Sequence, residues 1–317
     1  MELEEQPNAG LQWLAISVIG MTLVLLIVGA LVTSNEAGDS VPDWPLSFGR
    51  WVIEGDQFVG NVRYEYSHRF IAGIVGIATF ILAVWAWKSE RRSWVRRLAV
   101  IAFIGVVAQA ALGGVRVLLG EAYKPFIAVP HALVAQSFLG LLTAIAVFAS
   151  RSWTERKVTA PDVGSPSLRS LSVITVGAIL AQLVLGAGFR HRAFGIIPHI
   201  LGAVAVTALV IWVTRLILRR HRGDEYLRKP ALALCGLLAA QVVLGICAYL
   251  ARLAAADDPQ PLEPMVSLTV AHVFVGALTL ITTVVLALRC HRALAPAHRE
   301  RIPAASDLAA SSQRAAV

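Results

Sequence analysis

The sequence predicts an all-α integral membrane protein with eight transmembrane helices in two pseudo-symmetric four-helix bundles and both termini in the cytoplasm. Three observations lead to this prediction: long apolar runs, an uneven distribution of basic residues, and a histidine pattern that occurs twice. The mean hydropathy of +0.68 and the hydrophobic fraction of 57% lie well above those of a soluble domain. The chain is therefore expected to lie mostly within a lipid bilayer.

Eight apolar runs are long enough to cross a hydrocarbon core, which takes about 20 helical residues. In chain order they are Leu11–Val32, Val62–Trp87, Trp94–Leu119, Phe126–Ala149, Leu171–Phe189, Ile197–Leu218, Ala231–Leu250 and Met265–Leu288. The preceding segment, Met1–Gly10, is acidic rather than basic, and the first run is too long for the apolar part of a signal peptide. No cleavable signal peptide is expected.

Basic residues determine the expected orientation of the spans. Of the 28 Lys and Arg, 20 lie in the loops after the second, fourth and sixth spans and in the C-terminal tail. Loops rich in Lys and Arg stay in the cytoplasm, so these segments and both termini are predicted to be cytoplasmic. The first and seventh loops are acidic and are predicted to face outward; they contain Glu36, Asp39, Asp43, Glu54, Asp56, Asp257, Asp258 and Glu263. The net charge of +8 follows from this asymmetry and does not predict binding to nucleic acid.

The same features divide the chain into four parts. Residues 1–150 are predicted to form the N-terminal bundle, and residues 151–170 a cytoplasmic linker. Residues 171–292 are predicted to form the C-terminal bundle. Residues 293–317 are rich in Ala, Ser, Arg and Pro, and are expected to be a disordered cytoplasmic tail.

Four histidines open the even-numbered spans: His68, His131, His199 and His272. An ionisable side chain within a membrane is costly unless it has a partner or a task. Each histidine lies within about two turns of the predicted outer end of its span, so all four share one depth near the outer face. The spacings of 63 residues between the first two and 73 between the last two indicate an internal duplication. The histidines therefore form two candidate pairs of axial ligands.

A second repeat lies on the third, fifth and seventh spans, where the pattern Ala-Gln-x-x-Leu-Gly occurs at residues 108–113, 181–186 and 240–245. Helix packing is the simpler interpretation, since small residues let membrane helices approach and a glutamine can hydrogen-bond across them. The alternative is that the glutamines or glycines also make room for a flat macrocycle.

Haem is the expected ligand of both pairs. Haem iron takes axial imidazoles, and its porphyrin is a flat apolar disc that suits the interior of a helical bundle. Zinc takes three or four protein ligands, and no Cys, Asp or Glu cluster completes such a set near these histidines. A di-iron carboxylate site needs two Glu-x-x-His segments, whereas only Glu65 and His68 have this spacing.

Glu65 distinguishes one pair from the other. At positions i and i+3 of a helix, Glu65 and His68 lie on the same face. The carboxylate can pair with Arg63 or Arg69 at the interface, or it can move protons and stabilise positive charge beside a haem. The other three histidines are preceded by Pro130, Pro198 and Ala271, and none has such a carboxylate. This asymmetry predicts one reactive haem and one electron-carrying haem.

These features together resemble the haem A synthase family. The resemblance rests on Glu-x-x-His-Arg at the second span, Pro-His at the fourth and sixth, a lone His at the eighth, and Asp43-Trp44-Pro45-Leu46 in the first outer loop. It extends to about His291. It implies two pseudo-symmetric four-helix halves, and oxidation of the C8 methyl group of haem O to the formyl group of haem A by two successive hydroxylations, for assembly of a terminal oxidase.

The resemblance also implies site residues and partners. His68 and His131 would ligate or flank the substrate haem, His199 and His272 would hold a haem b cofactor, and Glu65 would be the catalytic carboxylate. The implied partners are haem O, a haem O synthase and an electron donor of unspecified identity, in the cell inner (plasma) membrane. One departure is that Ser40 and Ser47 occupy loop positions where many members carry cysteines, so no disulfide can form there.

Several arginines near the outer interface are candidates to pair with haem propionates in charge-assisted bonds, the alternative being interfacial snorkelling. They are Arg63, Arg69, Arg116, Arg190, Arg192 and Arg252. Arg69 is the strongest candidate because it follows His68 directly. The remaining histidines, which are His191, His221, His291 and His298, are expected to be solvated surface residues.

Two other functions remain open on the sequence alone. A di-haem cytochrome b would relay electrons without chemistry on the haem, and it would not need Glu65. A transporter built from repeated bundles would place the histidines in a proton path and would bind no haem.

Overall fold

The computed structural model describes residues 6–119, 123–254 and 262–296, and these residues are mostly helical. Eight helices are long and apolar enough to cross a membrane, which confirms the predicted number of spans. They are α1 (Ala9–Ser34), α2 (Val62–Ser89), α3 (Ser93–Leu118), α4 (Lys124–Ala149), α6 (Leu168–Arg190), α7 (Ile197–Arg220), α8 (Glu225–Ala254) and α9 (Glu263–Ala293). A short helix, α5 (Arg151–Thr154), follows α4.

The helices extend a few residues beyond the apolar runs because polar residues complete their first and last turns. Asn8 caps α1 by accepting a hydrogen bond from the Leu11 amide at 3.1 Å, and Ser167 caps α6 through the Ser170 amide at 3.1 Å. Prolines stand in the first turn of α4, α7 and α9, where a missing amide hydrogen costs no helical hydrogen bond.

Two hydrophobic cores group the helices. Residues of α1 to α4 form the first core, which includes Leu11, Val75 and Leu142. Residues of α6 to α9 form the second core, which includes Leu168 and Val210. The groups also touch, since α9 packs on α1 and α4, and α4 packs on α6. Consecutive spans run in opposite directions, so α2, α4, α7 and α9 all begin at the same end of the molecule.

The opposite end contains structure that the sequence did not predict. Strand β1 (Ala160–Asp162) pairs in parallel with β2 (Leu294–Pro296), and the Thr159 amide donates to the Ala293 carbonyl at 2.8 Å. The predicted tail, residues 293–317, thus begins with residues that pair as a strand, and Leu294 is buried in the second core. The rest of that predicted tail, residues 297–317 with His298, lies outside the described residues, as do Asp257 and Asp258.

The predicted linker, residues 151–170, contains α5, strand β1 and the start of α6. The Asp162 carboxylate accepts hydrogen bonds from the amides of Leu168 and Arg169, both at 2.9 Å. An acidic side chain at these free amides stabilises the start of α6. The helices of the second group therefore begin at Leu168 rather than at residue 171.

Candidate functional site

The four predicted ligand histidines lie near the N-terminal ends of α2, α4, α7 and α9, and therefore at one end of the molecule. All four are partly buried. The structure brings them together in the predicted pairs, with His131 an electrostatic neighbour of His68 and the ring of His199 near that of His272. The side of the membrane that this end faces stays a prediction.

The C-terminal pair has a separation that fits one metal ion between two imidazoles. The ring centroids of His199 and His272 are 6.3 Å apart, with an angle of 76° between the ring planes. Metal–imidazole bonds are about 2 Å long, so two nitrogens on opposite sides of one ion lie about 4 Å apart. The dimensions of the two rings account for the rest of the centroid separation.

Two glutamines of the repeated motif contact the rings of the C-terminal pair. The Gln182 side-chain amide donates to the His199 carbonyl at 2.9 Å and lies 3.0 Å from the His199 Nδ1. The His272 Nδ1 lies 3.1 Å from the Gln241 carbonyl, and the Gln241 side-chain nitrogen lies 3.2 Å from the His272 Nε2. Each ring of this pair therefore has a polar contact at a ring nitrogen.

The N-terminal pair is held differently. Gln109, the third motif glutamine, donates to the His131 carbonyl at 2.9 Å. Within the described residues, the buried Nδ1 atoms of both His68 and His131 have no hydrogen-bond partner. The Leu25 carbonyl lies beside the His68 ring. Neither ring of this pair is contacted by a glutamine side chain of the motif at its Nδ1 atom.

A glycine on the preceding span faces each histidine ring. A Cβ added to Gly29, Gly186 or Gly245 would lie 2.9 Å from a ring carbon, which is closer than real side chains approach. The rings concerned are those of His68, His199 and His272, and at Gly113 the corresponding distance to His131 is 3.4 Å. Three of these glycines end the Ala-Gln-x-x-Leu-Gly pattern, so the motif places its Gln and Gly against the histidine of the next span.

Gly29 is a position that the sequence analysis missed, because α1 lacks the motif glutamine. The segment from Leu25 to Gly29 nevertheless has the motif spacing, with Leu25 in the place of the glutamine. The glycine at this spacing was the one signal that could have identified it.

Glu65 and Arg69 join α2 to the loop between α1 and α2, residues 35–61, which is the predicted first outer loop. Glu65 is buried and accepts hydrogen bonds from the Val41 amide at 2.9 Å and from Arg69 at 2.6 Å. Arg69 also donates to the carbonyls of Val41, Asp43 and Leu46, at 2.9, 2.6 and 3.0 Å. Both Nη atoms of Arg69 thus donate to protein oxygens, and this differs from its predicted role as the partner of a haem propionate.

The first outer loop is anchored at further points. The amide of Gly49 above all, and that of Phe48, hold the pKa of Asp43 below its usual value; their hydrogen bonds to its carboxylate are 2.7 and 2.8 Å long. The Trp44 indole lies against α3, where a Cβ on Gly114 would collide with it. Gly114 follows Gly113, the glycine that faces His131. The loop therefore contacts α3 as well as α2.

Arg116 is the candidate arginine that lies beside the N-terminal pair. It is an electrostatic neighbour of both His68 and His131, and its Nη1 donates to the Gly38 carbonyl at 3.3 Å. Arg190 reaches from one helix group to the other and donates to Ser34 at 2.7 Å. The positive charge expected near the site is therefore present, carried by residues other than Arg69.

His191 is not the solvated surface residue that was predicted. It follows α6 and is half-buried; burial above all, and then Arg190, Arg116 and His131, lower its pKa to about 4. The sequence could not show this, because side chains from both helix groups surround His191. His221 and His291 are also partly buried.

Both pairs fit haem better than a bare metal ion. Across the described ranges, no group of three or more His, Cys, Asp or Glu side chains could hold a metal ion. An iron already held by four porphyrin nitrogens needs only two protein ligands. The buried, unpartnered Nδ1 atoms of the N-terminal pair and the glycine facing each ring are compatible with such a group.

The profile of the cytochrome oxidase assembly protein family (COX15-CtaA) matches residues 11–198. The chain belongs to this family. The matched region contains the first outer loop, Glu65, His68 and His131, and it ends immediately before His199.

Individual relatives are similar over parts of their length. A haem A synthase of Halalkalibacterium halodurans is 36% identical over 124 residues, covering 38% of this chain and 37% of the relative. One from Alkalihalophilus pseudofirmus is 36% identical over 173 residues, covering 53% and 56%. One from Rhodopseudomonas palustris is 28% identical over 234 residues, covering 63% of each chain. The similarity to these three relatives thus spans between about a third and two thirds of their length.

Proposed function

We propose that this protein is a haem A synthase, which oxidises the C8 methyl group of haem O to the formyl group of haem A. The observation that carries the proposal is the asymmetry of two otherwise repeated histidine pairs. One pair has a buried carboxylate one helical turn away, on the same helix face as His68, and the other pair has none. Membership of the cytochrome oxidase assembly family and similarity to haem A synthases support it.

The two halves have different tasks in this proposal. The half formed by residues 1–150 binds haem O between His68 and His131, and the half formed by residues 171–292 holds a haem b cofactor between His199 and His272. When bound, haem b supplies reversible one-electron transfer. The substrate methyl would be hydroxylated twice, each time with one oxygen atom of O₂, while two electrons from the donor and two protons reduce the other oxygen atom to water. The resulting geminal diol would lose water to give the aldehyde.

Glu65 is the proposed catalytic carboxylate. An ionised carboxylate has about four acceptor positions, and the Val41 amide and Arg69 occupy two of them. Glu65 can therefore accept a proton from a hydroxyl group formed on the C8 methyl carbon. It can also stabilise positive charge that develops at this carbon. Its hydrogen bonds fix it in place, so no reorganisation is needed when that charge develops.

Arg116, rather than Arg69, is the proposed partner of a substrate propionate. It lies beside both N-terminal histidines, whereas Arg69 holds the first outer loop closed. A guanidinium and a carboxylate form a strong charge-assisted pair in a partly buried site. The loop, in turn, excludes water from the substrate half.

The setting follows from the same proposal. The protein is a multi-pass membrane protein, and we place it in the plasma membrane with both termini cytoplasmic and the histidines near the outer face. A haem O synthase would supply the substrate, and a separate electron donor would complete the redox cycle.

The direct test is to co-express the protein with a source of haem O and to analyse the extracted haems by reversed-phase chromatography. We expect haem A and its singly hydroxylated precursor, neither of which forms without the protein. Folded protein that binds haem but yields neither product would contradict the proposal.

A further inference from the structure

Positive charge is concentrated where the two groups of helices meet. Arg190 ends α6, in the C-terminal half, and donates a hydrogen bond of 2.7 Å to the Ser34 hydroxyl at the end of α1. Arg116, near the end of α3, donates to the Gly38 carbonyl at 3.3 Å, and a Cβ on Gly38 would collide with its guanidinium. The two guanidiniums thus reach the same short segment, residues 34–38, from the two halves of the molecule.

This charge lies beside the N-terminal histidine pair. Arg116 is an electrostatic neighbour of both histidines of that pair. His191 follows Arg190 directly, and its electrostatic neighbours are both arginines and His131. Among the described residues, no arginine is an electrostatic neighbour of either histidine of the C-terminal pair. The end of α6 therefore lies closer to the histidine pair of the other half than its place in the chain indicates.

The two arginines have no anionic partner within the described part of the chain. Both are partly buried, and each donates to a neutral protein oxygen. No carboxylate of the described residues forms an ion pair with Arg116 or Arg190. A guanidinium that is removed from water without a carboxylate loses solvation that no partner replaces. An anionic ligand with carboxylates to place beside these groups would restore it.

We infer that Arg190, from the C-terminal half, acts together with Arg116 to bind the two propionate groups of the substrate haem at the N-terminal pair. The inference rests on the proposed function, in which haem O is the ligand of that pair. A haem carries both propionates on one edge of the macrocycle, and two guanidiniums match that edge in charge and in number. In haem O the C8 methyl stands next to a propionate-bearing carbon, so holding this edge limits the positions that the reacting methyl can take.

The test compares haem O with its dimethyl ester, in which both propionates are neutral. A His199→Ala background removes a ligand of the C-terminal pair, and binding of each haem to the full-length protein is followed by its Soret absorption. In this background Arg190→Gln removes the guanidinium, and Arg192→Gln, at an exposed position two residues later, is the matched control. Ser34→Ala removes the hydrogen-bond partner of Arg190 and keeps its charge.

We expect the background protein to bind haem O more tightly than the ester. Arg190→Gln should lower the affinity for haem O about 10–100-fold, as loss of a hydrogen bond to a charged group predicts, and should leave the affinity for the ester unchanged. Arg192→Gln and Ser34→Ala should keep the preference for haem O over the ester. Arg190→Lys retains the charge and should keep most of this preference.

Three results would overturn the inference. The background protein could bind haem O and the ester equally, and this result needs no variant of Arg190, so the inference can fail even if Arg190→Gln does not fold. Arg190→Gln could weaken both ligands equally, which would make the residue a structural one. It could also weaken haem b at the C-terminal pair, measured in a His68→Ala background, and leave haem O binding unchanged.

The outcomes separate this inference from the proposed function. If the unmodified protein makes haem A while haem O and its ester bind equally, the inference fails and the proposed function stands. If Arg190 confers the preference for haem O over the ester but the protein forms no haem A, the proposed function fails and the propionate site stands. If the protein binds no haem O, both fail.

Discussion

The two histidine pairs occupy equivalent places in a repeated structure, yet their surroundings differ. In the C-terminal half each ring has a glutamine contact, and the connection between α6 and α7 is the short segment 191–196. In the N-terminal half the ring Nδ1 atoms lack partners within the described residues, and the connection between α1 and α2 is the long segment 35–61. The described contacts therefore differ in two ways: the C-terminal rings have polar contacts from glutamines, and the N-terminal pair lies beside a long anchored loop.

On the proposed function, the difference would let two similar groups of helices perform two tasks without a change of fold. The glycine facing each ring is common to all four sites, so it preserves the distance between helix and imidazole. The features that differ are Glu65, Leu25 and the first outer loop, and all three belong to the N-terminal half. Specialisation therefore rests on a few side chains and one loop.

The largest expected effect comes from removing a ligand. His199→Ala or His272→Ala should lower the haem b content of the purified protein by at least about tenfold, because loss of a ligand exceeds the cost of losing an outer contact. His68→Ala should leave that haem b content near normal and abolish formation of haem A. Pyridine haemochrome spectra and haem chromatography measure both quantities. Equal haem b loss in all three variants would remove the distinction between the halves.

Glu65→Gln should reduce haem A formation about 100-fold or more while haem binding persists, since the amide keeps the side-chain shape but loses the charge and the capacity to take up a proton. Asp56→Asn, an exposed position in the same loop, is the matched control and should have no effect. Product analysis in membranes measures the rate. Unchanged haem A formation in Glu65→Gln would place the chemistry elsewhere, and haem binding without any haem A in the parent would favour a di-haem cytochrome b.

Adding a methyl group beside a ligand ring should displace that ring. Gly29→Ala places a Cβ 2.9 Å from His68, and we expect haem A formation to fall about 10–100-fold, as catalysis is sensitive to displacements of this order. Gly20→Ala on the same helix has no atom within 4 Å and serves as control. Activity assays on both variants measure the effect. Equal activities would show that the glycine is not needed to seat the ring.

Much of this could be predicted from the sequence, and the misses have physical causes. The eight spans and the four histidines follow from apolar run length and from the cost of polar groups in a membrane. The strand formed by residues 294–296 could not be predicted in this way, because these three residues have no apolar periodicity and form a strand by pairing with β1. The burial of His191 and the hydrogen bonds of Arg69 to the carbonyls of Val41, Asp43 and Leu46 could not be predicted, because the groups that contact these side chains are distant in sequence.

The smallest expected effect is on the pH dependence of folding stability, through His191 at the contact between the two groups of helices. Burial above all, together with the nearby Arg190, Arg116 and His131, lowers the pKa of His191 from 6.5 to about 4, so the unfolded chain binds a proton more readily than the folded one. Stability should therefore fall as the pH drops from about 6.5 towards 4 and should level off below that range. His191→Asn should remove this part of the pH dependence. Melting temperatures in detergent between pH 7 and pH 4 measure it, and parallel curves for the two proteins would contradict the assignment.

The most direct test of the difference between the halves is haem exchange in the unmodified protein. Protein purified from cells that make both haem O and haem b is mixed with excess apomyoglobin, and the haems that leave and remain are identified by chromatography over time. We predict that haem O and haem A leave first and that haem b stays, with release rates at least about tenfold apart. Release of haem b first, or of all haems at one rate, would contradict the account.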